Sequence, residues 1–295
     1  MTMQEIKFVE REAKSIMVAS KLPATDYVIN PYTGCAFSCL YCFASFMGRQ
    51  VGESVDNWGN YLYIKINAVS LVEKELRRWS PEKRMATLLM SSVTDPYQGA
   101  EKTYRLTRGI LQVLVREQYP GRVGILTKSP LVLEDVDLLR QLKAAEVGMT
   151  ITTTDDKLSR FMEVRAPLAS RRLETLRRLH EEGITTYAFI GPLFPHFRYC
   201  TDELEALFAA LAEAKVGSIF VEHINLSPYI RRRLWEELKD APEQIQNVYR
   251  DAATKEHQQA LQSMVMGLVE RYQLPLQLDT VISHKDIGTK EKQQD

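Results

Sequence analysis

Three of the four cysteines crowd into eight residues, Cys35 to Cys42, and Cys200 stands alone. The segment reads Asn30-Pro31-Tyr32-Thr33-Gly34-Cys35-Ala36-Phe37-Ser38-Cys39-Leu40-Tyr41-Cys42. A C-x3-C-x2-C spacing suits soft-metal chemistry, because thiolates select zinc or iron–sulfur clusters. A structural zinc takes four protein ligands. Neither a second cysteine pair nor a histidine lies nearby in sequence, the five histidines being His180, His196, His223, His257 and His284. A cubane cluster also prefers four thiolates. Three thiolates therefore suggest one iron left open to an outside ligand. Zinc with a distant fourth ligand, in a nucleic-acid-binding protein, and an electron-transferring iron–sulfur protein are the competing readings of the same triplet.

The elements that must position this loop alternate in type. Tyr61 to Ile66 has the period-two pattern of a strand, and Ala68 to Trp79 reads as a helix that stops at Ser80-Pro81. Strand-like runs at Thr87–Val93, Val123–Thr127, Val147–Thr152, Ile184–Ile190 and Gly217–His223 are interleaved with helical runs. Those helices fall at Tyr104–Gln118, Val132–Ala145, Asp155–Glu182 in pieces, and Thr201–Ala214, where Thr201 is an N-cap followed by acids. Tyr229–Lys239 and Gln244–Arg271 read as further helices, and Leu274–Val281 as a last strand. The tail from Ser283 to Asp295 is polar and expected to fray. Repeated strand–helix order demands a parallel sheet with crossovers, as a barrel or an open doubly wound sheet.

Composition narrows the class. The 295 residues carry 38 basic and 38 acidic side chains, so no whole-molecule charge favours nucleic acid or an anionic membrane. An apolar fraction of 45% with 26% charged is an ordinary globular mix and excludes disorder. The longest apolar runs fall short of a membrane span. Met1 to Glu12 lacks the apolar core of a secretory signal. Clustered thiols without such a signal predict a reducing, cytoplasmic setting and no membrane partner.

The cysteine loop, with an aromatic before its last cysteine, resembles the radical S-adenosylmethionine (radical SAM) superfamily. Asn30-Pro31-Tyr32-Thr33-Gly34-Cys35, Thr94-Asp95-Pro96-Tyr97-Gln98, Leu126-Thr127-Lys128-Ser129 and Arg165-Ala166-Pro167…Arg171-Arg172-Leu173 resemble its spore photoproduct lyase-like branch, over roughly residues 25 to 225. The resemblance implies an α/β fold, a partial (β/α)6 TIM-like barrel of the radical SAM type. The strand–helix count agrees with it independently. Residues 1–24 form an N-terminal segment, 25–228 the radical SAM core, and 229–295 a helical C-terminal extension and tail. Cys35, Cys39 and Cys42 would hold a [4Fe–4S] cluster, with S-adenosylmethionine on the fourth iron. Reductive cleavage would yield a 5′-deoxyadenosyl radical that abstracts hydrogen from a substrate. An external electron donor such as flavodoxin or ferredoxin is then required.

In barrels, chemistry sits where strands end. The polar runs Ser91-Ser92-Val93-Thr94-Asp95, Thr127-Lys128-Ser129, Thr152-Thr153-Thr154, Gly191-Pro192 and Glu222-His223-Asn225 fall there. Lys128 is the candidate for the S-adenosylmethionine carboxylate, as a compact cation facing an anion. Ser91, Ser92, Thr152 and Thr153 are candidates for its amino or ribose groups, and Tyr41 for the adenine. The plainer reading of each is a cap or a solvated strand end.

Two departures separate the chain from the lyases of that branch. Ser91-Ser92 stands where those lyases carry a hydrogen-donor cysteine, and a serine O–H is too strong to replace a thiol in that role. Phe43 stands where they carry a tyrosine, and has no phenol to oxidise. Both argue against spore photoproduct repair. Cys200 precedes a helix start, where thiol pKa tends to fall; its plainer reading is an incidental, partly buried thiol. Arg171-Arg172 and Arg177-Arg178 are basic clusters, of which Arg171 and Arg178, alternating with Glu174, Glu181 and Glu182, read as a solvated helix face. Arg231-Arg232-Arg233 leaves nucleic acid open as a substrate, since phosphate contacts need only local charge. Trp58, Tyr61 and Tyr63 read as packing, and His223 as a strand-end hydrogen-bonding group.

Overall fold

The computed structural model describes residues 5–283, so His284 and the tail expected to fray lie outside the described residues from 284 onward. Two sheets organise it. β1 (Lys7–Arg11) and β5 (Tyr61–Lys65) pair in parallel, and β4 (Tyr32–Thr33) pairs antiparallel to β5, giving a small sheet β1-β5-β4. The large sheet has the order β10-β9-β8-β7-β6-β3-β2. Its strands are β2 (Met17–Ala19), β3 (Tyr27–Ile29), β6 (Leu88–Met90), β7 (Val123–Thr127), β8 (Ala145–Thr150), β9 (Thr185–Leu193) and β10 (Ser218–His223). Six of them, β3 to β10 without β4 and β5, run parallel in chain order, and β2 is an antiparallel edge. This is the partial (β/α)6 barrel.

Helices cover the outside. They are α1 (Ala68–Leu76), α2 (Glu101–Tyr104), α3 (Leu106–Arg116), α4 (Val136–Leu139), α5 (Asp156–Met162), α6 (Ala169–Glu181) and α7 (Thr201–Glu213). On α1 the stripe Ala68, Val72 and Leu76 is fully buried, the i, i+4, i+8 face an amphipathic helix turns to a sheet. α8 (Pro228–Leu238), α9 (Glu243–Asp251) and α10 (Lys255–Tyr272) form the helical C-terminus.

Several expectations change. Tyr61 to Ile66 is not a barrel strand but the centre of the small sheet. Its alternation is what a strand covered mainly on one face shows, whereas parallel strands buried on both faces read as continuous apolar runs. The first barrel strand is instead Tyr27–Ile29, too short to stand out by periodicity. No helix spans Val132–Ala145. A 3-10 segment at Pro130–Asp135 leads into the single turn of α4, and Ala145 and Glu146 pair with Val123 and Gly124 in β8. Leu274–Val281 makes one isolated bridge, Ile219 to Leu276, and holds a 3-10 turn at Gln277–Asp279; a second bridge, Glu222 to Ile282, lies just beyond it. Pro275 inside it has no N–H for a ladder. Cys200, not Thr201, occupies the cap position of α7, although Asp202 and Glu203 still open that helix.

Candidate active site

The cysteine loop leaves β4 through Gly34, whose φ of +95° is a left-handed conformation. A Cβ there would lie 2.5 Å from the Tyr61 carbonyl oxygen, so only glycine fits. Gln98 ties the loop to the exit of β6. Its Oε1 accepts the Ala36 N–H at 2.9 Å, and its Nε2 donates to Thr94 Oγ1 and to the Asp95 carbonyl, both at 3.1 Å. On the other side the Leu40 N–H donates to the Met162 carbonyl at 2.9 Å, and the Arg165 N–H to that of Phe37 at 3.0 Å. The loop is thus stitched to two strand-end regions before any ligand binds.

Cys35 and Cys39 are buried, Cys42 is half-buried, and none is in a disulfide. Burial pushes all three thiols up, Cys39 to about 12. Buried neutral thiols become good ligands when a metal compensates the thiolate charge. Among the described residues no three or more His, Cys, Asp and Glu side chains converge as a lone metal ion requires. The three thiols instead share one wall of an open cleft, together with Phe37, Tyr41, Phe43 and Trp58.

Strand ends form the facing wall. Ser91, Ser92, Val93, Thr94 and Asp95 after β6, Leu126, Thr127 and Lys128 at the end of β7, Thr150 of β8, Phe189, Gly191 and Pro192 of β9, and Glu222 and Asn225 around the end of β10 all line it. Asn30 Oδ1 accepts the N–H groups of Ser92 at 3.0 Å and Val93 at 3.3 Å, which fixes the β6 turn. Ser91 is held at a φ of +66° with a buried hydroxyl that has no hydrogen-bond partner. A strained residue with an orphaned polar group on a cleft wall is the mark of a ligand site. Asp95 bridges the β6 and β7 ends, accepting from Thr127 Oγ1 at 2.7 Å, the Lys128 N–H at 2.8 Å and the Tyr97 N–H at 2.9 Å. Burial raises its carboxyl, against these hydrogen bonds.

Lys128 Nζ lies 5.7 Å from the centre of the Tyr41 ring. Burial works against its charge, but Cys39 and Glu163 outweigh burial and hold the ammonium above its ordinary value. Beneath Tyr41 lies a buried ion pair. Arg172 donates to Glu163 through both terminal nitrogens, and the two side chains are 0% and 1% exposed. Glu163 also accepts from the Tyr41 hydroxyl and from Ser159 Oγ at 3.0 Å. Arg172 further donates to the carbonyls of Thr150 at 2.7 Å and Pro167 at 2.9 Å. Burial opposes the Glu163 charge, yet Arg172 and Lys128 hold its carboxyl below the ordinary range.

Of the residues singled out from the sequence, Cys35, Cys39, Cys42, Tyr41, Ser91, Ser92 and Lys128 meet in this cleft. Thr152 and Thr153 are buried away from its lining. Thr152 Oγ1 lies 3.5 Å from Glu163, and Thr153 Oγ1 accepts the Asp155 N–H at 3.0 Å. Thr150 takes the wall position instead. Cys200 is outside the cleft, and burial followed by Glu203 raises its thiol, opposite to the expected depression. Arg171 and Arg178 are exposed, as expected, whereas Arg172 on the same helix is buried. Trp58 packs edge-on against Tyr61, as expected, but also lines the cleft. The strand-end bond at His223 is made by its backbone N–H, to Ile282, while burial and His257 bring its ring down to about 4. The sequence reading missed Glu163. Its position four residues after Ser159 and nine before Arg172 carries no signal until the helices fold together.

A partial barrel with three free thiols and polar strand ends around one cleft defines a class. The family model of the radical SAM superfamily matches residues 29–199, and the chain belongs to that superfamily. An uncharacterised protein of Methanocaldococcus jannaschii is 35% identical over 191 residues, 65% of this chain and 69% of that relative. An uncharacterised protein of Acidianus two-tailed virus is 29% identical over 78% of this chain and 80% of its own length. Among solved structures, spore photoproduct lyase complexed with a dinucleoside spore photoproduct has a similar fold. Its TM-score is 0.68 at 15% identity, covering 91% of this chain and 80% of that one. The protein is therefore an enzyme of the radical SAM class, built on the fold that spore photoproduct lyase also uses.

Proposed function

We propose that Cys35, Cys39 and Cys42 hold a [4Fe–4S] cluster whose open iron takes S-adenosylmethionine, and that the enzyme abstracts hydrogen from a substrate other than the spore photoproduct. The observation that carries the reading is the meeting of three free thiols, Lys128 and the orphaned Ser91 hydroxyl in one cleft at the strand ends. When bound, the cluster and S-adenosylmethionine supply reductive cleavage of the sulfonium and a 5′-deoxyadenosyl radical. The chain's own residues place and shield this chemistry. Lys128 offers a cation to the carboxylate, Ser91 and Ser92 offer hydroxyls and N–H groups to the polar end, and the Tyr41 ring offers an apolar face to the adenine. Phe37, Phe43, Trp58 and Phe189 keep the cleft poor in water. Electrons come from a separate carrier, for which flavodoxin or ferredoxin is the expected class.

The fold match favours lyase-type DNA repair as the second reading, and the cleft lining counts against it. Its only thiols are Cys35, Cys39 and Cys42, and Ser91 and Ser92 occupy the end of β6. Reconstituted protein is expected to leave a dinucleoside spore photoproduct unconverted to thymines; turnover would reverse the reading of those serines. The main test is anaerobic loading with iron and sulfide, followed by dithionite and S-adenosylmethionine. The expected product is 5′-deoxyadenosine, absent in Cys39→Ala. No product above that control from protein with an intact cluster refutes the proposal.

A further inference from the structure

We propose that helix α8 is a clasp on the cysteine loop, with Arg233 and Tyr229 as positioning residues that hold the metal-binding segment and set a fixed cation beside its thiols. The proposal rests on the cluster reading above. Tyr229, Arg232 and Arg233 have the i, i+3, i+4 spacing of one helix face. The Tyr229 hydroxyl donates to the Phe43 carbonyl at 2.9 Å. Arg233 donates through Nη1 to the Leu40 carbonyl at 3.3 Å and through Nη2 to that of Val55 at 2.8 Å. Arg232 pairs with Asp56. Leu40 and Phe43 flank Cys42 on either side, so α8 grips the chain around the last ligand.

The docking of α8 does not depend on these contacts, because Ile230, Leu234 and Leu238 form its buried stripe. The polar face is additional, and its target is the loop. A guanidinium suits the task, since its planar fork can bridge two carbonyls and it stays charged when half-buried. The family model ends at residue 199, so the clasp joins a helix beyond it to the cysteine loop within it. It also divides the arginine run: Arg232 and Arg233 are engaged, and Arg231 is exposed on the same helix.

The test uses the full chain, anaerobically loaded with iron and sulfide to equal content, and two readouts besides turnover. These are the rate of iron loss to a ferrous chelator and the midpoint potential of the cluster. Arg233→Met is expected to lose iron roughly ten-fold faster or more, for one charged fork removed. Its potential is expected to become more negative, because a cation near the thiolates favours the reduced state. Arg233→Lys restores the potential but not the iron retention. Tyr229→Phe loses iron roughly five-fold faster, for one neutral hydrogen bond, at unchanged potential. Arg231→Met behaves as wild type. Wild-type iron release in Arg233→Met and Tyr229→Phe overturns the clasp, and faster release at unchanged potential in Arg233→Met overturns its electrostatic half. If Arg233→Met does not fold, Tyr229→Phe decides the clasp alone. A wild-type chain that takes up no iron and sulfide refutes the cluster reading first, and the clasp falls with it.

Discussion

At the scale of single residues, the cleft places two kinds of charge differently. Lys128 is half-buried against Tyr41, and among the described residues its ammonium makes no hydrogen bond, whereas Arg172 and Glu163 are buried and consume each other. Lys128→Met should therefore leave folding and iron uptake intact and weaken S-adenosylmethionine binding by about ten- to a hundred-fold, the worth of one charge-assisted hydrogen bond. Isothermal titration of loaded protein measures this, and an unchanged affinity would remove Lys128 from the site. Breaking the buried pair acts on stability instead. Glu163→Gln or Arg172→Met should cost about 3–5 kcal/mol, because each leaves a desolvated charge without its partner. Joint replacement by apolar residues should cost less than the two losses combined, a non-additivity that denaturant titrations of the three variants would reveal. The cysteines and Lys128 were legible in the sequence because their spacing and strand-end position are local facts. Arg172 was legible only as one arginine of a basic pair. Its partner directly follows α5, and the helix face that looks outward at Arg171 looks inward one residue later.

At the scale of elements, the 3-10 turn after β9 (Pro195–Arg198) and α9 enclose His196 among Phe194, Phe197 and Tyr249. Its Nε2 is buried without a hydrogen bond and lies 3.6 Å from Glu203. Burial brings this imidazole from its ordinary 6.5 down to about 4. Between those values the unfolded chain binds a proton that the folded one excludes, so acid favours unfolding. The stabilisation is complete above pH 6.5 and lost as pH falls towards 4, to about 3 kcal/mol for the single group. His196→Phe should flatten the fall in Tm between pH 6.5 and 4.5, leaving the part due to His223, which burial shifts in the same direction. A Tm profile with the wild-type slope would show that His196 is solvated. The same scale explains the misplaced strand. Tyr61-Leu62-Tyr63-Ile64-Lys65 has a clear period of two, but periodicity does not say which sheet a strand joins. Pairing with β1 and β4 decides that, and both partners are short and distant in sequence.

At the scale of the whole molecule, the order of strand and helix made the barrel legible, because sequential parallel strands leave few topologies open. What was not legible is how the chain outside the barrel serves it. The strand β1 pairs with β5, which carries the carbonyl that excludes any side chain at position 34, and α8 reaches back to the last ligand of the loop. Neutral net charge agrees with a cleft whose lining holds one lysine beside two acids, rather than a basic groove. Among the described residues no helix is long and apolar enough to cross a membrane. The central claim is that three thiolates leave one iron open and that this cleft presents S-adenosylmethionine to it. The most direct measurement is the electron paramagnetic resonance spectrum of the dithionite-reduced, reconstituted protein with and without S-adenosylmethionine. The expected result is a [4Fe–4S]1+ signal that changes shape on addition, saturably and with weaker affinity in Lys128→Met. Identical spectra at saturating S-adenosylmethionine, from protein with full iron and sulfide, would contradict it.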